Sequence, residues 1–237
     1  MISIIIPVYN EEEILEANSL RVHDYLTERS IEHEVIVVSN GSTDRTNEIG
    51  KMLEQQHPWF RFFILPEKGP GRAFVHAVKE SRYEYLITLD ADLSSELLFI
   101  DYAKDLLSYG HMLVGSKSMG KQHRSLFRVL GSQFYLSLTL WCFQLTISDY
   151  SMGCKAFKRS HILTALPHLN PWTGYILELA LFLNAKGKRV LQIGIECNDT
   201  RKSRFNIIHE GFYRFAHLYR SRKKIRDRSS WFHTTSA

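Results

Sequence analysis

The sequence predicts an α/β fold in which a mostly parallel central sheet is flanked by helices. Strand patterns and helix patterns alternate over residues 1–115, and the connections between them are short. Such alternation is typical of a doubly wound parallel sheet, because each helix carries the chain back to the start of the next parallel strand. With 44% hydrophobic and 23% charged residues, the chain has the composition of a soluble globular protein with a sizeable core.

The elements of the first half follow in order from hydrophobic periodicity. Apolar, mostly β-branched or aromatic runs predict strands at 2–7, 34–38, 61–65, 85–89 and 112–116. Apolar residues at helical spacing predict intervening helices at 11–29, 42–56, 70–81 and from Ser94 or Ser95 to about residue 107. Ser42 or Thr43 is the expected cap of the second of these helices, because a hydroxyl there can accept a bond from a free helical N–H.

The second half of the chain has a different pattern. Residues 129–148 carry no charge and many large apolar side chains, but Ser, Thr and Gln interrupt them. This favours an amphipathic helix that faces the core, lipid or a membrane-protein partner over a membrane-spanning one. Residues 172–183 predict a further helix, which contains Glu178, and residues 188–195 predict a last strand.

Charge is unevenly distributed along the chain. The net charge is +5, yet residues 201–228 contain ten Lys or Arg against two acids, so the remainder is slightly acidic. A basic tail on a near-neutral domain predicts attraction to an anionic surface, such as membrane lipid, nucleic acid or an acidic partner. An ordinary solvated helix face is the alternative.

The cysteines and the N-terminus bear on the compartment. Cys142, Cys154 and Cys197 are widely spaced, and the eleven histidines have no metal-binding spacing. Neither a disulfide framework nor a zinc site is therefore predicted, and a reducing compartment fits best. The first residues run directly into the first predicted strand, so we expect no signal peptide.

Polar loops follow the first four predicted strands, at 7–11, 39–44, 67–72 and 90–92. In an open α/β sheet, ligands bind just beyond the carboxyl ends of the strands, where such loops meet. The 67–72 loop offers cations, glycines that permit close backbone approach and a helix N-terminus, all of which suit an anion. Each loop alone is ordinary turn chemistry, but together they predict a site for a nucleoside diphosphate.

The pair Asp90 and Asp92 predicts a divalent cation at this site. Residues two apart in an extended chain project to the same side, so both carboxylates face one position. Two hard oxygen donors suit Mg²⁺ or Mn²⁺, which commonly hold phosphates of a substrate while keeping several waters. A strand followed by an acidic turn is the plainer alternative.

The ordered motifs resemble the family 2 glycosyltransferases, and within them the dolichyl or polyprenyl-phosphate mannose or glucose synthase branch. The resemblance is carried by PVYNE (7–11), VVSNGSTDRT (37–46), KGPGRA (68–73) and LDADL (89–93). It continues, over nearly the whole chain, in GSK (115–117), DYSMGCK (149–155), GYILE (174–178) and SR (203–204). It implies a GT-A fold, a nucleotide-sugar donor, a divalent metal and inversion at the anomeric carbon.

The resemblance also implies roles for matching residues. Pro7, Tyr9 and Glu11 would contact the base and ribose, whereas Asp90 and Asp92 would hold metal and diphosphate. The implied donor-site set is Pro7, Tyr9, Glu11, Val38, Asn40, Ser42, Lys68, Arg72, Asp90, Ala91 and Asp92. The implied catalytic set is Asp92, Asp149, Arg204 and Lys117. It also implies a GT-A domain over 1–205, with a nucleotide-sugar half (1–116) and an acceptor half (117–205), and a basic amphipathic extension (206–237).

Some positions depart from the family pattern. Ser39 and Asn40 replace both acids of the usual DDGS motif, which leaves the base open to either UDP or GDP. Ser94 stands where the dolichyl-phosphate synthases commonly have Gln. Lys117 and Arg204 occupy positions where those synthases place a cation that faces phosphate.

Two acceptors remain open from the sequence. A polyprenyl phosphate oxygen is already anionic and needs no base, so cations such as Lys117, Arg124 and Arg128 would position it. A sugar hydroxyl of a glycan or glycolipid needs a base, for which Asp149 is the candidate unless it only orients the turn at 150–153. The uncharged 129–148 segment and the basic tail favour the lipid acceptor, on the cytoplasmic face of a membrane.

Other classes fit the sequence less well. A dinucleotide-dependent oxidoreductase lacks its GxGxxG after the first strand, and a sugar nucleotidyltransferase lacks a glycine-rich loop there. A non-catalytic nucleotide- or nucleic-acid-binding module would explain the basic tail but not the two carboxylates. We therefore expect no nucleic-acid partner.

Overall fold

The computed structural model describes residues 1–117, 119, 126–143, 145, 147, 150, 153–196 and 207–226. Its strands are β1 (Ile2–Val8), β2 (His33–Asn40), β3 (Phe60–Leu65), β4 (Tyr85–Thr88), β5 (Met112–Ser116), β6 (Lys155–Lys158) and β7 (Val190–Gly194). These strands form one sheet in the order β3-β2-β1-β4-β6-β5-β7. Strand β6 runs antiparallel to both neighbours, while the other pairs are parallel, which confirms the mostly parallel sheet.

The helices cover both faces of this sheet. They are α1 (Leu15–Glu28), α2 (Thr46–Gln56), α3 (Pro70–Glu80), α4 (Phe99–Leu106), α5 (Leu126–Phe143), α6 (Arg159–Ile162), α7 (Tyr175–Ala185) and α8 (Ile207–Arg226), with a 3₁₀ helix at Leu163–His168. The strands have two apolar faces: Ile5, Ile36 and Leu86 enter one buried cluster. Their neighbours Ile4, Val35 and Ile87 enter the other. Burial on both faces explains why these strands read as continuous apolar runs.

Three predicted helix starts were wrong, and the first of these helices, α1, begins at Leu15 and not at residue 11. Helix α4 begins at Phe99, not near Ser94, because the Ser94 N–H donates to the Asp92 carboxylate at 3.0 Å and the intervening segment turns. Helix α2 begins at Thr46. The Thr46 N–H, which has no partner within the helix, donates to the Asp44 carboxylate at 3.0 Å, so neither Ser42 nor Thr43 caps the helix. The corrections at α4 and α2 have one cause, since an Asp side chain accepts a local backbone bond more strongly than a hydroxyl does.

Strand β1 continues one residue past Pro7, which the sequence placed at its end. Pro7 pairs with Val38 of β2. A strand residue directs its N–H and C=O to the same side, and the Ile5 carbonyl faces β4, where it accepts the Leu89 N–H at 3.0 Å. Pro7 faces that side too, beyond the Thr88 end of β4, so its missing N–H costs no ladder bond.

A buried carboxylate anchors the opposite, amino end of the sheet. Glu34, at the start of β2, accepts bonds from the Ser3 hydroxyl at 2.6 Å, the Arg82 N–H at 2.7 Å and the Arg61 guanidinium at 3.0 Å. The network ties β1, β2 and β3 to the connection that enters β4. It therefore holds the strands in register at the end remote from the polar loops.

Residues 129–143 of the uncharged segment lie in helix α5, which packs against α8. Phe134 and Tyr135 of α5 contact the ring of Phe215 of α8, with centroids 5.9 and 6.1 Å apart. Thr139 is fully buried, whereas the side chain of Trp141 is 71% exposed, so the helix has one buried and one exposed side. Among the described helices, none has the length and apolarity that crossing a membrane requires.

Candidate active site

The polar loops predicted from the sequence meet at the carboxyl edge of the parallel strands. Tyr9 follows β1, and the Lys68 ammonium lies 3.6 Å from the centroid of its ring. This cation–π contact joins the first loop to the third. Pro7 and Glu11, on either side of Tyr9 in the sequence, are partly buried. Tyr9, expected at a base and ribose, therefore lies beside a positive charge.

Asn10, which was not among the predicted site residues, joins the first loop to the second by hydrogen bonds. Its backbone is in the left-handed region at φ 56°, its N–H donates to the Ser42 hydroxyl at 3.1 Å, and its side chain accepts the Thr43 N–H at 2.7 Å. The Ser39 hydroxyl also donates to Ser42, at 2.9 Å. An Asn directly after a strand was the sequence signal that could have indicated this role, because Asn adopts the left-handed conformation more readily than most residues.

Asn40 has a structural role in this arrangement. The side chain is almost fully buried, its amide N–H donates to the Val8 carbonyl at 2.7 Å, and its amide oxygen accepts the Gly69 N–H at 3.0 Å. It thereby joins the end of β1 to the third loop. Val38, two residues earlier, lies with its side chain in the core. Contact of either residue with a nucleotide stays a prediction.

The glycines of the third loop pack against the chain itself. A Cβ atom on Gly69 would lie 2.5 Å from the Pro171 carbonyl oxygen, and one on Gly71 would lie 2.1 Å from the Asn170 carbonyl oxygen. The backbone that approaches these glycines closely is therefore that of residues 170–172. Arg72 forms an ion pair with Glu67 at 2.5 Å and remains partly exposed, so its guanidinium stays at the edge of the loop.

The two predicted metal-binding carboxylates have different environments. Asp90 accepts the Gly153 N–H at 2.9 Å, while Asp92 accepts the Ser94 N–H at 3.0 Å. Ala91, between them, is held by a bond of 2.8 Å from the Asn18 side chain to its carbonyl. The acidic turn is therefore fixed from both sides by neighbouring elements.

Two buried lysines lie beside Asp90. Lys117 and Lys155 are 7% and 2% exposed, respectively. Burial raises the pKa of the Asp90 carboxyl above its ordinary value, and the charges of Lys155 and Lys117 oppose that rise only in part. Lys117 was predicted, but Lys155 was missed. The motif DYSMGCK (149–155), which ends in this lysine, was the signal that could have found it.

Register explains how Lys155 reaches this position. Thr88 of β4 pairs with Lys155 of β6, so Asp90, two residues on, lies on the same face and diagonal to it. Opposite Asp90 is Gly153, on which a Cβ atom would lie 2.3 Å from the Asp90 carboxyl carbon. Glycine therefore leaves the room that the carboxylate occupies.

The remaining predicted site residues cannot be placed. Asp149, Arg204 and Arg124 lie outside the described residues, and the side chain of Arg128 does so as well. Within the described ranges, no three His, Cys, Asp or Glu side chains gather as a metal site. The acidic turn thus offers two carboxylates, not a complete protein cage.

This site can be compared with known proteins. The profile described as Glycosyl transferase family 2 matches residues 3–162, more than half of the chain. The chain belongs to glycosyl transferase family 2. The resemblance drawn from its ordered motifs is thereby confirmed.

Relatives of this family 2 chain include two kinds of lipid-phosphate transferase. It is 26% identical over 215 residues to an undecaprenyl-phosphate 4-deoxy-4-formamido-L-arabinose transferase of Photorhabdus laumondii, a match that covers 88% of this chain and 65% of the relative. It is 26% identical over 227 residues to a dolichyl-phosphate beta-glucosyltransferase of Trichomonas vaginalis, covering 87% and 68%. The chain thus spans about two thirds of the length of these relatives.

Solved structures establish the GT-A fold. Glucosyl-3-phosphoglycerate synthase from Mycobacterium tuberculosis, solved with Mn²⁺, UDP-glucose and phosphoglyceric acid, aligns with a TM-score of 0.67 at 17% identity and covers 94% of this chain and 80% of that one. Mannosyltransferase PcManGT from Pyrobaculum calidifontis, solved with GDP-Man and Mn²⁺, aligns with a TM-score of 0.60 at 18% identity and covers 97% and 64%.

Proposed function

We propose that this chain is an inverting glycosyltransferase that moves a hexose from a UDP- or GDP-sugar to a polyprenyl or dolichyl phosphate. The observation that carries the proposal is the acidic turn of Asp90 and Asp92 at the carboxyl edge of the sheet, the edge that also carries the Tyr9–Lys68 pair. Family membership and the lipid-phosphate relatives support the reaction and the acceptor class.

The acidic turn fits a bound Mg²⁺ or Mn²⁺. Such ions are usually held by one or two carboxylates, with substrate phosphates and water completing the shell. Asp90 and Asp92 would supply the carboxylates, which the bonds from Gly153 and Ser94 hold in place. When bound, the ion would neutralise charge on the diphosphate of the donor.

The chain's own residues would bind the donor around this turn. Tyr9 offers a ring face to a base, and Glu11 offers a carboxylate to a ribose hydroxyl. Lys68 and Arg72 bring positive charge toward the diphosphate, which develops further negative charge as the sugar departs. The Glu67 carboxylate paired with Arg72 would exchange for phosphate, because the pair is partly exposed and weakly held.

Transfer to a lipid phosphate requires no proton acceptor. An acceptor phosphate oxygen would form the new bond to the anomeric carbon while the bond to the diphosphate breaks, and the nucleoside diphosphate would leave with that electron pair. Lys117 and Lys155 lie beside Asp90, where they can draw an anionic acceptor toward the reaction centre. Arg204 is expected to add to this charge.

A donor and acceptor screen tests the proposal. UDP- and GDP-sugars would be supplied with Mn²⁺ or Mg²⁺, and with polyprenyl phosphate or a simple glycoside as acceptor. We expect a glycosylated lipid phosphate and release of nucleoside diphosphate. Transfer only to the glycoside would instead support a hydroxyl acceptor with Asp149 as base, and no nucleotide release from any donor would overturn the enzyme proposal.

The variant Asp92→Ala tests the metal assignment within that screen. It removes one proposed ligand from a partly exposed turn, so we expect turnover to be abolished while the melting temperature stays close to that of the wild type. Glu48→Ala is a control, because Glu48 is an exposed acid of α2 that forms an ion pair with Arg45, an equally exposed residue directly before that helix. Substantial activity of Asp92→Ala would remove the support for this metal site.

The exposed side of α5 and α8 would lie on an anionic membrane surface. Phe134 and Trp141 are 64% and 71% exposed, and the Arg222 guanidinium lies 5.2 Å from the Trp141 ring centroid. Aromatic rings beside arginines suit the lipid headgroup region, and the basic α8 adds attraction to anionic lipid. A cytoplasmic membrane face is the compartment that this proposal implies.

Sedimentation with vesicles tests the membrane proposal. We expect the protein to pellet with phosphatidylserine-containing vesicles at low salt and to be released by high salt. Trp141→Ser should weaken pelleting, whereas Tyr109→Ser, at an exposed tyrosine on another part of the surface, should leave it unchanged. Failure of the wild type to pellet at low salt would overturn the proposal.

A further inference from the structure

A buried polar network connects the last described helix to the acceptor half. His217 of α8 and Glu178 of α7 are 2% and 1% exposed, and the His217 Nε2 lies 3.2 Å from the Glu178 Oε1. The ring of His217 also fills the space beside Gly174, where a Cβ atom would lie 2.5 Å from it. Glycine at the start of α7 therefore lets α8 approach closely.

Glu178 extends this network to the segment before α7. Its second oxygen, Oε2, accepts the Asn170 N–H at 2.5 Å. The Asn170 side chain in turn accepts the Trp172 N–H at 2.7 Å and the Tyr213 hydroxyl of α8 at 2.5 Å. Helix α8 therefore holds residues 170–172 twice: through Tyr213 directly and through His217 by way of Glu178.

Residues 170–172 reach the donor side of the site. The Pro171 carbonyl accepts the Arg72 N–H in the first turn of α3, at 3.1 Å. The carbonyls of Asn170 and Pro171 fill the space that side chains at Gly71 and Gly69 would need. A shift of this segment would therefore move the loop that carries Lys68 and Arg72.

We propose that Tyr213 and His217 of α8 are positioning residues, which act through Asn170 and Glu178 to hold the 67–72 loop in place for the nucleotide sugar. The identity of that ligand rests on the proposed function. The consequence is that the helix proposed to lie on the membrane also sets the geometry of donor binding.

The energetics favour a positioning role over simple packing. A buried carboxylate in an otherwise apolar helix is costly, and apolar side chains of similar size would often stabilise a core as well or better. Glu178 instead fixes one backbone N–H of the 170–172 segment, and Tyr213 fixes the side chain of the same Asn170. Satisfied buried networks restrict a structure to one arrangement, which a loop that binds a ligand requires.

Hydrogen exchange on the whole protein, without ligand, tests the connection. Tyr213→Phe removes one hydroxyl from a partly exposed ring, and Tyr109→Phe makes the same change at an exposed tyrosine far from this network. We expect the amides of 69–73 to exchange about three- to tenfold faster in Tyr213→Phe alone, the effect of losing one neutral hydrogen bond. Unchanged exchange there, with Asn170→Ala also without effect, would overturn the proposal.

Steady-state kinetics with the UDP- or GDP-sugar found in the screen supply a second readout. We expect Tyr213→Phe to raise the donor KM about three- to tenfold with kcat nearly unchanged, since it loosens a binding loop and not the reacting groups. An unchanged donor KM would contradict the proposal. If no donor is turned over by the wild type, the proposed function fails, while hydrogen exchange at 69–73 still decides whether α8 holds the loop.

Discussion

The substitution Gly153→Ala probes how tightly the acidic turn is built. A Cβ atom at Gly153 would lie 2.3 Å from the Asp90 carboxyl carbon, whereas ordinary contacts begin near 3.4 Å. Either the carboxylate or the Gly153 backbone must therefore shift by about 1 Å. Such a shift also stretches the 2.9 Å bond from the Gly153 N–H to Asp90.

The expected magnitude follows from this displacement. A misplacement of about 1 Å in a reacting or ligand-holding group commonly costs about 100-fold in rate. Overpacking a well-filled site destabilises the fold by about 1–3 kcal/mol. We therefore expect metal-dependent kcat/KM for the donor to fall about 100-fold, while the protein still unfolds cooperatively.

A matched control separates the two effects. Gly110→Ala also introduces a methyl group into occupied space, 2.8 Å from the end of the Leu191 side chain, but that side chain can rotate and lies away from the acidic turn. Kinetics with Mn²⁺ would be measured beside urea unfolding for both variants. If Gly153→Ala keeps wild-type kcat/KM, or if Gly110→Ala loses as much, the role assigned to the Asp90 position is refuted.

Two further predictions concern stability. Glu34→Ala should lower the free energy of unfolding by about 3 kcal/mol, because it removes the buried carboxylate that Arg61, the Ser3 hydroxyl and the Arg82 N–H all contact. Urea titration would measure this loss against an unchanged Glu48→Ala. The folded state should also lose stability as pH falls through 6.5, the ordinary pKa of histidine. Burial lowers the pKa of His23, His111 and His161 below this value, so on acidification these histidines take up protons in the unfolded chain before they do so in the folded one. The melting temperature would be measured between pH 5 and 8 for the wild type and for His161→Gln. We expect the melting temperature of His161→Gln to fall less on acidification, and an equal fall would contradict the role of His161.

The strands of the first half were predictable because each is a largely apolar run, and all except the edge strand β3, whose Ile64 is 40% exposed, are buried on both faces. Strand β6 was not, because Lys155–Lys158 is short and carries a lysine at each end. Its place between β4 and β5 depends on pairing between distant segments, which periodicity does not report. The alternation of elements therefore predicted the class of sheet but not its order.

The same distinction applies to the site. The acidic turn of Asp90 and Asp92 was predictable because both acids directly follow one apolar strand. That the two carboxylates face one metal ion stays a prediction, because residues 90–93 form a turn and are not extended. Lys155 and the Asn170–Glu178 contact join segments that are far apart in the sequence, so composition could not place them. The sequence analysis placed Glu178 inside the apolar 172–183 block, but nothing in the sequence identified His217 as the partner of that acid.

The position of β6 has a consequence for how donor and acceptor sites communicate. The division at residues 116 and 117 stays a prediction about function, but the sheet itself runs across it. Gly153 and Lys155 come from the second half, yet they hold and partly neutralise the Asp90 carboxylate of the first. Since residues 170–172 also support the 67–72 loop, both sides of the donor site depend on the half expected to bind the acceptor. Binding of an acceptor can therefore alter donor affinity without any new contact to the nucleotide.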